Sequence, residues 1–143
     1  RDARITNIYE GTSQLQVVAA IRHVTTGTYL NQIREYEAQT YAADLGHVHQ
    51  KLIAMREQYE RAVEKVTAAG SNEFIDFHAR RMVEMAAHII IGCLLLRQAS
   101  EEYRVSAQLY VKHGEAQNAA AAEYIAQSSP DDLDLITAVR QAE

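Results

Sequence analysis

The sequence has few of the residues that define specialised classes of protein. Of its 143 residues, one is Cys, one is Pro, six are Gly and none is Trp. A single cysteine excludes an internal disulfide framework, and no cluster of Cys and His resembles a structural zinc site. We therefore predict that the chain holds no metal, and we expect a reducing, cytoplasmic setting.

The sequence also lacks an excess of positive charge and a long apolar run. It has 14 Lys and Arg against 19 Asp and Glu, a net charge of −5, which gives no electrostatic footprint for nucleic acid or an anionic membrane. The longest apolar run, Ile89 to Leu96, is far shorter than the roughly 20 residues of a membrane helix. We therefore expect neither nucleic acid nor a membrane as a partner.

The N-terminal residues bear on whether the chain begins with a signal peptide or inside a larger protein. Arg1-Asp2-Ala3-Arg4 has no apolar core of the kind a signal peptide needs, and residue 1 is not Met. The expectation is that the chain starts inside a larger protein or was processed.

Apolar residues recur at spacings of three and four, which predicts an all-α fold. A chain of this length can bury roughly 70% of its unfolded surface, enough for a core without disulfides. We predict an up-and-down bundle of four to five helices, preceded by a loop and a helix.

The predicted helices follow from stripes of apolar residues and from the capping or breaking residues at their ends. A heptad-like stripe predicts a helix from about Asp44 to Ala69; its members are Leu45, Val48, Leu52, Met55, Tyr59, Ala62 and Val66. Gly70 ends it, and Ser71 or Asn72 caps a third, central helix from Glu73 to about Gln98. A fourth runs from about Ser100 to Gln127, with Tyr103 and Tyr124 among its apolar residues, and its boundary with the third stays open. Ser129-Pro130 predicts a short last helix that buries Leu133, Ile136 and Val139.

The opening segment has its own pattern. Ser13 and Gln16 fit a capping box, so a helix is predicted to begin near Gln14 and to continue to about Gln32. Its apolar face would carry Val17, Ile21, Val24 and Thr28. Glu10 and Gly11 would then lie just outside a helix N-terminus, where anionic or carbonyl oxygens of a ligand are favoured.

Residues 1–16, RDARITNIYEGTSQLQ, closely resemble the signature near the C-terminal end of acyl-CoA dehydrogenases. In most of that family, chains end soon after the following helix. The remaining residues resemble an additional helical segment of a bacterial subgroup, notably in FHARRMVEMA at 77–86. The resemblance implies two parts: residues 1–40, the end of the family's C-terminal helical domain, and residues 41–143, an additional helical bundle.

The resemblance also implies roles for individual residues. Glu10 would be the catalytic base, because a carboxylate in a dry pocket can take the proton next to a thioester carbonyl. Its backbone N–H and a flavin hydroxyl would stabilise the thioester oxygen. Tyr9 would line the pocket, Gly11 would lie against the acyl-CoA and Arg22 near the CoA moiety. Contacts to FAD would come from Thr12, Ser13 and Gln14. Electron-transfer flavoprotein and a second copy of the chain are the implied protein partners.

Simpler interpretations stand beside these. From the residues alone, Glu10 compensates a helix dipole and Arg22 is a solvated helix residue. Cys93 is a small buried hydrophobe, His78 and His88 are packing or surface residues, and His47 and His49 point in different directions. A competing hypothesis is a non-catalytic dimerisation module, using the stripe from Leu45 to Val66 and the Ala-rich fourth helix.

Overall fold

The computed structural model describes residues 13–99 and 103–135, and those two ranges contain helices and turns but no strand. This confirms the all-α prediction. A short 3₁₀ turn at Ala43–Leu45 precedes the third helix, and residues 131–135 form a further helical turn. The main helices are α1 (Ser13–Thr25), α2 (Thr28–Glu37), α3 (Gly46–Ala68), α4 (Asn72–Arg97) and α5 (Arg104–Gln127).

The first predicted helix is in fact two helices. Gly27 has φ 75°, a left-handed conformation that ends α1 and lets α2 begin at Thr28. The Thr26 hydroxyl also donates to the Arg22 carbonyl at 2.8 Å and satisfies a carbonyl of the last turn. Ile21 and Val24 are buried as expected, but Thr28 is exposed because the break rotates it away from them. The prediction of one continuous helix to Gln32 is therefore wrong.

The heptad-like stripe of α3 forms the centre of the core. All seven of its predicted members are buried, none more than 5% exposed. They pack against α4 and α5 of the same chain, so the stripe is already covered. The suggestion that it serves dimerisation is therefore wrong.

Helix α4 is the central helix, as the sequence predicts. It contacts α1, α2, α3 and α5. Its start is capped by Ser71, whose hydroxyl oxygen accepts a hydrogen bond from the Phe74 N–H at 3.2 Å. The apolar spacing of this helix predicts that Phe77 is buried, but its side chain is only half-buried.

Helix α5 and the residues after it complete the bundle. Ala107, Val111 and Ile125 are buried, but Tyr103 and Tyr124 are 53% and 44% exposed, contrary to their predicted apolar role. The Asp132 carboxylate accepts from the Ser129 N–H at 2.9 Å, which starts the predicted last helix. Leu133 packs on the core, whereas Ile136 and Val139 lie outside the described residues. Within residues 13–99 and 103–135, no helix is both long enough and apolar enough to span a membrane.

Helices α3, α4 and α5 meet most closely at Gly92. A Cβ placed there would lie 2.6 Å from Leu52 Cδ2 on α3 and 3.2 Å from Val111 Cγ2 on α5. Gly114 on α5 is a second close point, with a Cβ position 3.2 Å from both His88 Cβ and Met55 Cε. Both glycines are buried mid-helix, so the gain in packing outweighs their poor helix propensity.

Gly92→Ala should therefore destabilise the protein, although Ala is the better helix former. Leu52 is fully buried, so its side chain would have to shift within the packed core, and we expect a loss of about 1–3 kcal/mol. Gly46→Ala is the matched control, because nothing lies within 4 Å of its Cβ position; it should be neutral or stabilising by up to about 1 kcal/mol. Urea unfolding measures both, and a Gly92→Ala variant as stable as Gly46→Ala would contradict the packing argument.

Candidate functional site

The predicted site lies at the start of α1. Tyr9, Glu10, Gly11 and Thr12 fall outside the described residues, and their predicted roles stay predictions. Helix α1 begins at Ser13, in agreement with the start predicted from the capping box. Ser13 and Gln14, the other predicted FAD contacts, are the first two residues of this helix.

The N-terminal turn of α1 is electrostatically suited to a ligand with anionic oxygens. The helix dipole places partial positive charge there. The first turn contains no acidic residue that would neutralise this charge. A helix N-terminus of this kind favours phosphate or carbonyl oxygens.

Arg22, the predicted CoA contact, lies in the last turn of α1 and is exposed. Leu15 and Val18 precede it at helical spacing, and they are 62% and 54% exposed. Within the two described ranges the Arg22 guanidinium has no ion-pair partner. Its side chain can therefore reach an anion, and none of the described residues directs it to one.

A partly buried ion-pair network connects α2 to α3. The Arg56 guanidinium on α3 contacts Glu37 on α2 at 3.1 Å and Glu60 at 3.1 Å, and Arg34 on α2 also pairs with Glu60. The side chains of Arg56 and Glu37 are 18% and 15% exposed, so solvent screens their pairing less than it would at the surface. The network joins the C-terminal part of α2 to α3.

A groove of about 390 Å³ lies between α3 and the turn that joins α1 to α2. Its lining is mixed: Val24, Gly27, Leu30 and Val63 stand beside polar residues, among them Glu60 and Glu64. Tyr59 also lines it; its side chain is 1% exposed, and its hydroxyl has no hydrogen-bond partner among the described residues. Burial raises the pKa of Tyr59, so the hydroxyl stays protonated and can donate.

The buried polar residues of α4 and α5 are mostly structural. The His88 Nδ1–H donates to the Asn118 Oδ1 at 2.9 Å, and the Asn118 Nδ2 donates to the Met85 carbonyl at 3.2 Å. Asn118 is fully buried, and these bonds satisfy it and tie α5 to α4. Sequence reasoning missed Asn118; the signal it offered was an amide in the core-facing stripe of α5.

Cys93 and the histidines behave as the simpler interpretations predicted. Burial, with the nearby Glu37 carboxylate, raises the pKa of Cys93 to about 11, which keeps the thiol protonated and unreactive. Across residues 13–99 and 103–135, no group of three or more His, Cys, Asp or Glu side chains could hold a metal.

His78 is buried among aromatic rings. It is 0% exposed, both ring nitrogens lack partners in the described ranges, and the Phe74 and Phe77 rings lie edge-on at 4.7 and 4.8 Å. Burial, with Arg81 on the same helix and Lys65 on α3, lowers the pKa of His78 from 6.5 to about 4, against the opposing effect of Asp132. The ring is therefore a neutral packing residue at neutral pH.

Comparison with known proteins identifies the family. The family model described as Acyl-CoA dehydrogenase C terminal matches residues 25–133, most of the chain. The chain belongs to the acyl-CoA dehydrogenase family. A crystal structure of an acyl-CoA dehydrogenase family protein from Porphyromonas gingivalis is similar in fold and sequence, with a TM-score of 0.73 and 37% identity. The similarity covers 78% of this chain and 99% of that one. No curated protein matches the sequence.

Family membership rests on the helical bundle rather than on the signature segment. The matched range begins at residue 25, after all the predicted site residues, including Arg22. It also crosses residue 40, where the sequence was predicted to divide into two parts, and that division stays a prediction.

His78 predicts a defined pH dependence of stability for this member of the family. The unfolded histidine binds a proton near pH 6.5 and the folded one only near pH 4. The unfolded state therefore binds more protons between these values, and stability falls as the pH is lowered through this window. We expect His78→Leu to remove about 2 kcal/mol of the stability lost between pH 7 and pH 4.5.

Urea unfolding at the two pH values measures this difference. The exposed His47 provides the matched control, and His47→Gln should keep the wild-type dependence. If His78→Leu lost as much stability as wild type on acidification, the buried neutral histidine would not be its cause.

Proposed function

We propose that the chain is the C-terminal part of an FAD-dependent acyl-CoA dehydrogenase that oxidises an acyl-CoA to the 2-enoyl-CoA. Two features taken together support the proposal: the helical bundle and the segment that precedes it. A bundle of this family follows directly on a segment, residues 1–16, that resembles the family's base-bearing signature. The bundle alone supports the family, and the Glu in that segment supports the chemistry.

Glu10 is proposed as the base. Its carboxylate would take a proton from the carbon next to the thioester carbonyl, a step that needs a pKa raised toward neutrality by desolvation. The backbone N–H of Glu10 would donate to the thioester oxygen as negative charge develops there. Gly11 has no side chain, so the acyl-CoA can approach the backbone, while Tyr9 would line the pocket and Arg22 would contact the CoA moiety.

The start of α1 fits a flavin cofactor. Thr12, Ser13 and Gln14 offer two hydroxyls and an amide at a helix N-terminus with no acid in its first turn. Those groups would hold FAD through hydrogen bonds to its polar atoms. FAD, when bound, would supply the acceptor for the hydride from the carbon adjacent to the one that loses the proton.

The outward face of α1 supports a place within a larger protein. Leu15 and Val18 expose most of their side chains beside Arg22. Apolar side chains at successive turns of an exposed helix face mark a contact surface. We propose that this face packs against the flavin-binding part of the enzyme, which acts in the cytoplasm as a homo-oligomer and passes its electrons to electron-transfer flavoprotein. The 143-residue chain alone should be colourless and inactive.

Glu10→Gln in the enzyme that contains this chain tests the proposal. Removing the base while keeping the shape should lower kcat by at least about 10³-fold, with FAD still bound, because the amide cannot accept the proton. Glu10→Asp should retain part of the activity. Steady-state oxidation of acyl-CoA and the flavin absorption spectrum measure the two effects.

Asp76→Asn is the control for loss of one surface carboxylate, since Asp76 is exposed on α4 and does not line the groove beside α1. It should keep wild-type kcat. Undiminished turnover in Glu10→Gln would show that the base lies elsewhere.

A non-catalytic interaction module remains the second candidate. The exposed outer face of α5 favours it, because that face is not used in the core. The two proposals differ in one observable: only a dehydrogenase loses acyl-CoA oxidation when Glu10 is changed.

A further inference from the structure

The outer face of α5 exposes two large apolar side chains. Val105 is 64% exposed and Leu109 is 62% exposed, on a helix whose opposite face is fully buried in the core. They lie four residues apart and so occupy one face of α5. Neither is needed for the intramolecular core.

These two residues begin a continuous seam, which we call the α5 seam. It follows heptad steps of four and three residues along the whole helix, and every member is exposed. Its members each precede a core-facing residue by two positions, which places them nearly opposite the core on a helix. They are Val105, Leu109, Lys112, Ala116, Ala119, Glu123 and Ala126.

From Leu109 to Ala126, the α5 seam is complementary to itself in reverse order. If two copies of α5 pack antiparallel about an axis midway between residues 117 and 118, Lys112 faces the partner's Glu123. The same register places Leu109 opposite the partner's Ala126 and Ala116 opposite the partner's Ala119, and each pair occurs twice because a two-fold interface is isologous. Val105 has no counterpart on the partner helix, because the opposite position, 130, lies beyond the end of α5 at Gln127.

A parallel arrangement lacks this complementarity. It would place Lys112 against Lys112 and Glu123 against Glu123, and like charges at an interface cost binding energy. The Lys112 ammonium has no ion pair within residues 13–99 and 103–135, so it is available to a second molecule. Among the described residues, the Glu123 carboxylate accepts a hydrogen bond from the neighbouring Gln127, and it keeps capacity for another donor.

A neighbouring side chain contacts the seam at its C-terminal end, where the Lys65 Nζ donates to the Ala126 carbonyl. Glu115, one residue away, is already paired with Lys51 on α3, and Arg104 is paired with Asp44. Arg61 and Lys65 of α3 line the groove beside Ala119 and Glu123, and they add positive charge next to that carboxylate. The alanines let two helices approach closely, while Leu109 supplies the apolar area.

We propose that the outer face of α5 is a self-association surface, on which a second copy of the chain binds antiparallel with Lys112 of each copy paired to Glu123 of the other. The contact is one helix wide, smaller than a standard stable interface, so the association is weak and depends on concentration. The inference uses α5 alone and does not depend on the catalytic role of Glu10.

Charge reversal in the 143-residue chain tests the register. Lys112→Glu and Glu123→Lys each replace two attractive contacts by two repulsive ones, and we expect each to weaken the dimer at least tenfold, about 1.4 kcal/mol or more. The variant carrying both changes should dimerise like wild type. A mixture of the two single variants should form a heterodimer, because each then supplies the charge the other lacks.

Sedimentation velocity over a concentration series measures the association, and circular dichroism confirms the fold of each variant. Glu64→Lys is the matched control: it changes the net charge by the same amount as Glu123→Lys on an exposed α3 position, and it should leave dimerisation unchanged.

Three results would overturn the proposal. A wild-type chain that stays monomeric at millimolar concentration would exclude self-association by this face. Single reversals that leave the dimer intact would place the contact elsewhere. A mixture of the single variants that fails to associate would exclude the antiparallel register.

Discussion

The structure depends on the close approach of three helices at Gly92. This residue lets α3 and α5 come within contact of the backbone of α4, so that Leu52 and Val111 pack over a position with no side chain. Helices α1 and α2 also pack against α4 and against each other, and the Arg56 ion pairs join α2 to α3. The start of α1, where the predicted site lies, is therefore positioned by a rigid bundle.

Much of this could be read from the sequence, because burial leaves a periodic pattern. The stripe from Leu45 to Val66 and the Ser71 cap required only local spacing and backbone chemistry, and both are present in the structure. The break at Gly27 was missed because Val17, Ile21 and Val24 satisfy a helical period that continues through Thr28. Whether a glycine adopts positive φ is decided by the packing of both flanking helices, which a pattern along one helix does not contain.

The candidate site could likewise be predicted from the sequence only in part. The likeness of residues 1–16 to a known signature assigned Glu10 and its neighbours a chemistry, and family membership of residues 25–133 supports the setting for it. The sequence assigned no role to Asn118 and allowed His78 to be either a packing or a surface residue, because both roles depend on contacts made in the folded chain. The bundle and the site thus have separate origins in the sequence: one in periodic burial, the other in a short run of specific residues.

The central claim is that this chain completes an enzyme that removes two hydrogens from an acyl-CoA. Mass spectrometry of a saturated acyl-CoA, incubated with the full protein and an electron acceptor, tests it most directly. The account predicts conversion to the 2-enoyl-CoA. A flavin-loaded protein that leaves every saturated acyl-CoA of short, medium and long chain unchanged would contradict it.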